Sequence, residues 1–510
     1  MKGKRGLIVL LSVAIPFLWS QISMAEEVKK EKVFDLGEVV ITPTRTPKLL
    51  GDVSLHTTII TKEEIAKSGA RNIGEVIERE TGIEIQKWGG MEARTQVTMR
   101  GSTEKQVLVL IDGQSMNCPR GGYTRLNEFP LLEHIERVEI VRGPGSALYG
   151  SGAMGGVVNI ITKDPPEKPE TTFSSSYGTH RTQIHSFSHG MKVKKFGYLL
   201  SVRGVESQGH RPNSAYRGHD LFGKFTYDLA DWSKLILEGG YYNGEHGNPG
   251  TKTRPDYDNR LHKHRVWGSL GWKAKLGEKA NLSLKGYGRE EKLKDITHTA
   301  APTTHRTDTL GGEAEYSVKI GKRNKVTFGA DLHEDRLDST SSGTHAQTIQ
   351  AYWIQDEIKI CEPLTFTIGS RWDYHPSFGT EGSPKASVLY KVTKKTTLRA
   401  SGGKAFRAPT LDDLYANLPP MGVGNPDLKP EKAWAYEGGI DQVFTKNLLG
   451  RLTFFRREVD DLIAWAWDPV LGTRTPSNVN KALIWGIESE LKTKMGKYFS
   501  GGIGYTWLET

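Results

Sequence analysis

Residues whose type and spacing could carry covalent or metal chemistry are scarce in this chain. Gly-x-Ser-x-Gly, His-Glu-x-x-His and the Gly-x4-Gly-Lys-Ser/Thr phosphate loop are all absent, so no catalytic residue is expected. Gly143-Pro144-Gly145 only superficially resembles a dinucleotide loop, because Pro144 and the sequel Leu148-Tyr149-Gly150 break that fingerprint. Of 15 His, 13 lie beyond residue 170, and no His/Cys cluster has zinc spacing, so neither a metal site nor a cofactor is expected. Cys118 and Cys361 are too few and too far apart for a disulfide scaffold. What the chain does offer is binding chemistry. Glu38-Val39-Val40-Ile41-Thr42 is a Val/Ile-rich extended segment closed by Pro43, able to pair edge to edge with a partner strand or to serve as the first strand of the domain that follows.

The elements that hold such residues follow from composition. The 510 residues are 36% hydrophobic and 25% charged, with 57 Gly and 9% aromatics, which is too polar for a set of ordinary soluble cores and too aromatic for a disordered chain. No apolar run after residue 20 approaches the ~18 residues of a spanning helix. The net charge of +10 is spread along the whole chain rather than gathered in a patch or arm, so nucleic acid is not an expected partner. A large β protein is the composition that remains.

Lys2, Lys4 and Arg5 precede a stretch from Gly6 to Trp19 that is apolar except for Ser12, and Ser23-Met24-Ala25 ends in small residues, which predicts a secretory signal cleaved after Ala25. Residues 38–163 read as a small mixed domain. Its features are a capped helix start at Thr61 and Glu64, an apolar stripe at Ile73, Val76 and Ile77, and strands at 107–111, 135–141 and 157–162. Pro165, Pro166 and Pro169 mark its boundary.

Beyond residue 170, about seventeen segments alternate apolar and polar residues, starting near 170, 181, 195, 219, 233, 260, 280, 303, 324, 345, 364, 382, 396, 429, 448, 474 and 498. Connections after even-numbered segments are short (229–233, 276–280, 320–324) and those after odd-numbered ones are mostly long (204–219, 244–259, 406–428). Segregation of loop length by parity predicts a transmembrane antiparallel β-barrel, with short turns on the periplasmic rim and long loops outside. Seventeen strands cannot close the usual even-stranded barrel, and large plugged transporters have about 22, so the barrel is expected to be incomplete at the C-terminus. Parity also sets direction. Trp434 and Tyr436 share one face, as do Leu483, Trp485 and Ile487, which turns Glu437 and Glu488 into the lumen.

These residues carry a family resemblance. The chain resembles a TonB-dependent outer-membrane receptor: export signal (1–25), leader (26–37), TonB box (38–43), α/β plug (44–164) and β-barrel (170–510). Thr98-Met99-Arg100-Gly101, Val109-Leu110-Ile111-Asp112-Gly113, Ile135 to Pro144 and Ser146 to Ile160 match plug motifs, while Ala405 to Pro409 and Asn425 to Glu431 match barrel motifs. The resemblance implies a barrel of the 22-stranded type with an N-terminal plug, active uptake of a scarce metal chelate, and the inner-membrane TonB complex as the partner of Glu38, Val39, Val40, Ile41 and Thr42. It implies a bacterial outer-membrane location, contact with lipid, and a monomer. It implies a latch in which Arg100 and Arg142 of the plug pair with Glu437 and Glu488 of the barrel. It places ligand capture on apical loops at 88–94 and 116–123, giving Trp88, Arg94, Asn117, Arg120 and Tyr123 as substrate candidates. A ferric siderophore is the first expectation and cobalamin the alternative. Haem is disfavoured because 410–424 contains no His, and a passive porin would have no such head.

Overall fold

The computed structural model describes residues 38–87, 95–129, 132–296, 302–419, 422–479, 481–495 and 499–510. The export signal, the leader, Trp88 and Arg94 lie outside the described residues.

The plug is built on a five-stranded sheet ordered Thr57–Thr61, Ile135–Arg142, Gly156–Thr162, Val107–Ile111, Gln114–Ser115. Val107–Ile111 runs parallel to Gly156–Thr162, and the other pairs are antiparallel. Every residue of Val107–Ile111 is buried, as a continuous apolar run requires when both faces of a strand are covered. Helix Lys62–Ser68 starts at the predicted capping box of Thr61 and Glu64 and ends at Gly69, whose φ of 65° favours glycine. Helix Ile73–Ile77 is capped by Asn72 and turns Ile73, Val76 and Ile77 into the core. That core runs on into the barrel wall through Leu199, Phe222 and Trp267, so plug and barrel share packed surface.

The barrel is one antiparallel sheet of 17 strands in chain order, from Glu170–Gly178 to Phe499–Glu509. The sheet is not closed, and its two end strands leave Phe173, Tyr177, Ile503 and Tyr505 heavily exposed. Alternation is as expected: Trp434, Tyr436, Leu483 and Ile487 face outward while Glu437 and Glu488 are buried inside. One expected barrel strand is displaced. The segment near 474 is Thr473–Val479, paired with Leu462–Asp468 in a separate two-stranded sheet, and the barrel resumes only at Ala482–Met495. Its sequence, Thr-Arg-Thr-Pro-Ser-Asn-Val, lacks the apolar/polar alternation of the barrel strands, and Pro476 suits a short two-stranded ribbon better than a central barrel strand.

Candidate functional site

Three polar clusters tie the plug to the barrel. The first is centred on Arg100, which follows strand Thr95–Met99 with φ 49° and so turns its side chain toward the wall. Its guanidinium forks onto Glu488, with Nε to Oε1 at 2.9 Å and Nη2 to Oε2 at 2.6 Å, and reaches Glu437 Oε2 through Nη1 at 2.6 Å. The Phe455 ring lies 4.5 Å beneath it. Gly82 makes room for this fork: at its φ of +74°, a Cβ would stand 2.1 Å from Glu488 Oε1.

The four residues expected to form a latch are not equivalent. Arg142 stands 4.0 Å from Glu488 and from Glu490, and its donors go instead to the Thr81 carbonyl (2.7 and 3.1 Å) and Thr58 Oγ1 (2.7 Å). It braces the plug internally while Arg100 crosses to the barrel. His56 was not legible as a member. Its main-chain N–H donates to Glu437 Oε1 at 3.1 Å and its Nδ1 lies 3.0 Å from Arg100 Nη2. Burial first, then Arg142, Arg100, Arg399 and Arg451, hold His56 well below the usual imidazole range, so the ring is neutral and Nδ1 accepts from Arg100. Burial works against the Arg100 charge, but Glu488 and Glu437 outweigh it and hold the guanidinium above its ordinary value. Glu490, two residues after Glu488 and therefore on the same face, joins the cluster 3.9 Å from His56.

The second cluster stows residues 38–45. Val39–Val40 pairs with Lys48–Leu49 of its own chain, and Val40 is wholly buried with Val53, Leu55 and Val141. Both the Ile41 and Thr42 N–H groups donate to Glu139 Oε2, at 2.9 and 2.7 Å, while Tyr149 donates to the Thr42 carbonyl at 3.0 Å. Glu38 accepts at its carbonyl from the Leu50 N–H at 2.8 Å. Arg45 then fastens the segment to the wall. Its Nη1 is 2.7 Å from Glu313, and its guanidinium lies between the rings of Tyr149 (4.6 Å) and Trp353 (4.4 Å). No periodicity marks Arg45 in the sequence. Arg45→Ala is expected to weaken this anchorage by about 1.5–3 kcal/mol. A spin label in segment 38–42 should then show a larger mobile fraction, and an unchanged spectrum would show that Arg45 does not hold the segment.

The third cluster lies at the outer end, where apical loop 116–123 meets helix Leu411–Tyr415 of the barrel. Leu411 and Asp412 donate through their N–H groups to the Pro119 and Arg120 carbonyls at 3.2 and 3.0 Å. Arg120 also pairs with Asp412 at 2.9 Å. Lys105, Arg407 and the Trp465 N–H all converge on Asp413, at 3.1, 3.2 and 2.9 Å. Arg407 and Gln106 hold Glu431 at 2.7 and 2.8 Å. Of the substrate candidates, Asn117 spends its side chain inside the loop, accepting from Val109 N–H and donating to the Val107 and Gly122 carbonyls. Arg120 is engaged with Asp412, and Tyr123 is partly buried over Gly121. Cys118 is buried and Cys361 exposed, both as free thiols. Among the described residues, no group of three or more His, Cys, Asp or Glu is placed to hold a metal ion.

Away from these clusters, burial and then the charge of Lys163 push His134 down to about 4. A histidine held below its unfolded value of 6.5 contributes stability above that pH, and the contribution is lost as pH falls from 6.5 toward 4. The protection factor of strand Ile135–Arg142, with the intrinsic pH dependence of amide exchange divided out, should therefore fall on acidification, by up to roughly tenfold per pH unit. His134→Phe should flatten that dependence, and a profile identical to the parent would exclude His134 as its source.

Comparison with known proteins completes the description. The family model "TonB dependent receptor-like, beta-barrel" matches residues 207–510, and "TonB-dependent Receptor Plug Domain" matches 50–157. The vitamin B12 transporter BtuB of Photobacterium profundum is 27% identical over 517 residues, covering 98% of this chain and 82% of that protein. The BtuB of Vibrio vulnificus is 25% identical over 484 residues, covering 89% and 75%. Among solved structures, the siderophore receptor PirA of Pseudomonas aeruginosa superimposes with a TM-score of 0.75 at 21% identity, covering 89% of this chain and 85% of that one. A ferric enterobactin receptor (PfeA) of Pseudomonas aeruginosa, solved with enterobactin, gives 0.77 at 20% identity, covering 89% and 81%.

Proposed function

The chain belongs to the TonB-dependent receptor family, whose members reside in the outer membrane, and from that premise we propose that it takes up a scarce metal chelate by active transport, a ferric siderophore first. The observation that carries the reading is the pairing of a plug fastened inside the barrel sheet with a stowed edge strand. Arg100 fastens the plug to two barrel strands through Glu437 and Glu488, and the Val39–Val40 ribbon lies ready to exchange its pairing. A passive pore needs neither. In this reading residues 1–25 direct export, 38–43 engage TonB of the inner-membrane complex, 44–164 form the plug and 170–510 the barrel. The protein works as a monomer.

Ligand meets the apical loop and the Leu411–Tyr415 helix. Trp88, Arg94 and Tyr123 are the proposed contacts. Asn117 shapes the loop, and Arg120 reaches an anionic chelate only when Asp412 releases it. A ligand able to break that 2.9 Å pair would loosen the loop on the barrel helix, leaving the Leu411 and Asp412 N–H donations to the Pro119 and Arg120 carbonyls, which gives binding a means of reporting inward. Cobalamin is the second reading, favoured by the two curated relatives named as vitamin B12 transporters. Tryptophan-fluorescence titration with ferric siderophores, cobalamin and haem separates the two. Submicromolar saturation by a ferric chelate supports the first reading. Saturation by cobalamin alone replaces it with the second.

A further inference from the structure

Charge that is spread along the sequence is gathered by the fold at one rim of the barrel sheet. The 17 strands are joined by eight short connections on one rim and eight connections, several of them long, on the other. The short connections hold nine Lys or Arg and three acids, whereas the opposite eight hold seven of each. Three short turns carry adjacent cations, Lys194-Lys195, Lys322-Arg323 and Lys394-Lys395, and all six side chains are exposed. This is also the rim of the coupling segment, since Lys325 and Lys391 at the same strand ends bond Thr46 and Asp52.

The rim cations divide by the side they face. Those turned inward are spent on acids of the plug and of the segment leading from it. Lys492 pairs with Glu80 at 3.0 Å, Lys494 with Glu64 at 3.4 Å and Lys192 with Glu167 at 3.0 Å. The six turn cations enter no ion pair among the described residues. Their neighbours are apolar and point away from the lumen. Phe196 follows Lys195 and lies opposite Tyr227, Ile320 stands two residues before Lys322, and Val392 stands two before Lys394; all four are exposed. Exposed aromatic and aliphatic side chains at the end of a barrel strand mark the hydrocarbon boundary. A lysine one or two residues further lays its stem along that boundary and carries its ammonium at headgroup level. The unpaired charge therefore meets lipid before it meets anything deeper in the periplasm.

We propose that the short-turn rim binds anionic phospholipids of the leaflet facing the periplasm, with Lys194-Lys195, Lys322-Arg323 and Lys394-Lys395 each clasping a headgroup phosphate. The contact holds the rim at a fixed depth while the coupling segment is pulled. The inference rests on the outer-membrane uptake reading above. The opposite rim, with its balanced charge, has no such preference.

Spin-labelled phosphatidylglycerol and phosphatidylcholine test it in phosphatidylcholine bilayers holding the full chain. The motionally restricted fraction of each label reports its affinity for the barrel wall. A cation near the surface is worth about fivefold in affinity for anionic lipid, so averaged over the whole perimeter phosphatidylglycerol should be favoured by roughly threefold at low salt. Salt at about 1 M, where the screening length is ~3 Å, should bring the two labels to parity. Lys194→Gln, Lys195→Gln, Lys322→Gln, Arg323→Gln, Lys394→Gln and Lys395→Gln together should do the same at low salt. An equal number of changes on the opposite rim (Arg181→Gln, Arg211→Gln, Lys252→Gln, Arg254→Gln, Lys429→Gln and Lys481→Gln) should leave the preference intact. Parity in the parent at low salt overturns the proposal, as does a preference that survives the first set or falls equally with the second. Parity accompanied by sedimentation with purified peptidoglycan, lost in the first set, would overturn it in favour of that polymer. Phosphatidylglycerol preference in a protein that takes up no chelate leaves the rim assignment standing and removes the uptake reading, and chelate uptake with lipid parity does the reverse.

Discussion

Arg100→Ala is expected to loosen the plug more than any other single substitution. Among the described residues, Arg100 is the one group that hydrogen-bonds both Glu437 and Glu488, and its loss leaves two carboxylates inside the protein with His56, itself neutral, as their nearest neighbour. Stranding the partners of a buried ion pair costs about 3–5 kcal/mol. The exposed pair Lys62–Glu136, at 2.8 Å, marks the contrast, since its loss should cost less than about 1 kcal/mol. Amides of strand Thr95–Met99 should exchange roughly 100-fold faster in Arg100→Ala, and cells carrying it should admit large antibiotics that the parent excludes. Joint Glu437→Gln and Glu488→Gln should act in the same direction by orphaning the guanidinium. Parental exchange and parental exclusion in both variants would mean that the cluster does not hold the plug.

Val40→Pro is expected to abolish energised uptake while ligand binding stays at the parental level. Proline removes the Val40 N–H from any strand pairing and fixes φ, which is incompatible with handing the ribbon to a partner strand. It also displaces a fully buried side chain from Val53, Leu55 and Val141, so segment 38–42 should be released more easily even as its productive pairing is lost. That combination separates coupling from seating: exposure rises and transport falls. Uptake at the parental rate would show that the segment is only the first strand of the plug.

How much of this was legible depends on the kind of information each residue carries. Strand Phe196–Ser207 could be read because its alternation reports one lipid face and one lumen face, and the inward turn of Glu437 and Glu488 followed from the same period. Thr473–Val479 carries no such alternation and belongs to a separate hairpin with Leu462–Asp468, while the barrel strand that follows is Ala482–Met495, so the misplaced start near 474 reflects a long loop insertion that local pattern does not delimit. Arg100 and Arg142 are alike in sequence, and only the fold shows that one crosses to the barrel while the other closes on Thr58 and Thr81. Asn117 looked available to a ligand because a loop sequence does not reveal whether its own backbone consumes the side chain. Arg45 and His56 had no pattern to betray them. Their partners, Glu313 and Glu437, lie hundreds of residues away in the chain.

The central claim is that transport through this barrel is active and coupled to TonB. It is tested most directly by accumulation of the saturating chelate in whole cells, with and without an energised inner membrane and with and without TonB. Accumulation against a gradient only when both are present, with surface binding equal in all conditions, is the expected result. Equal entry in de-energised or TonB-free cells would contradict the account, because the plug would then be opening without the pull on residues 38–42.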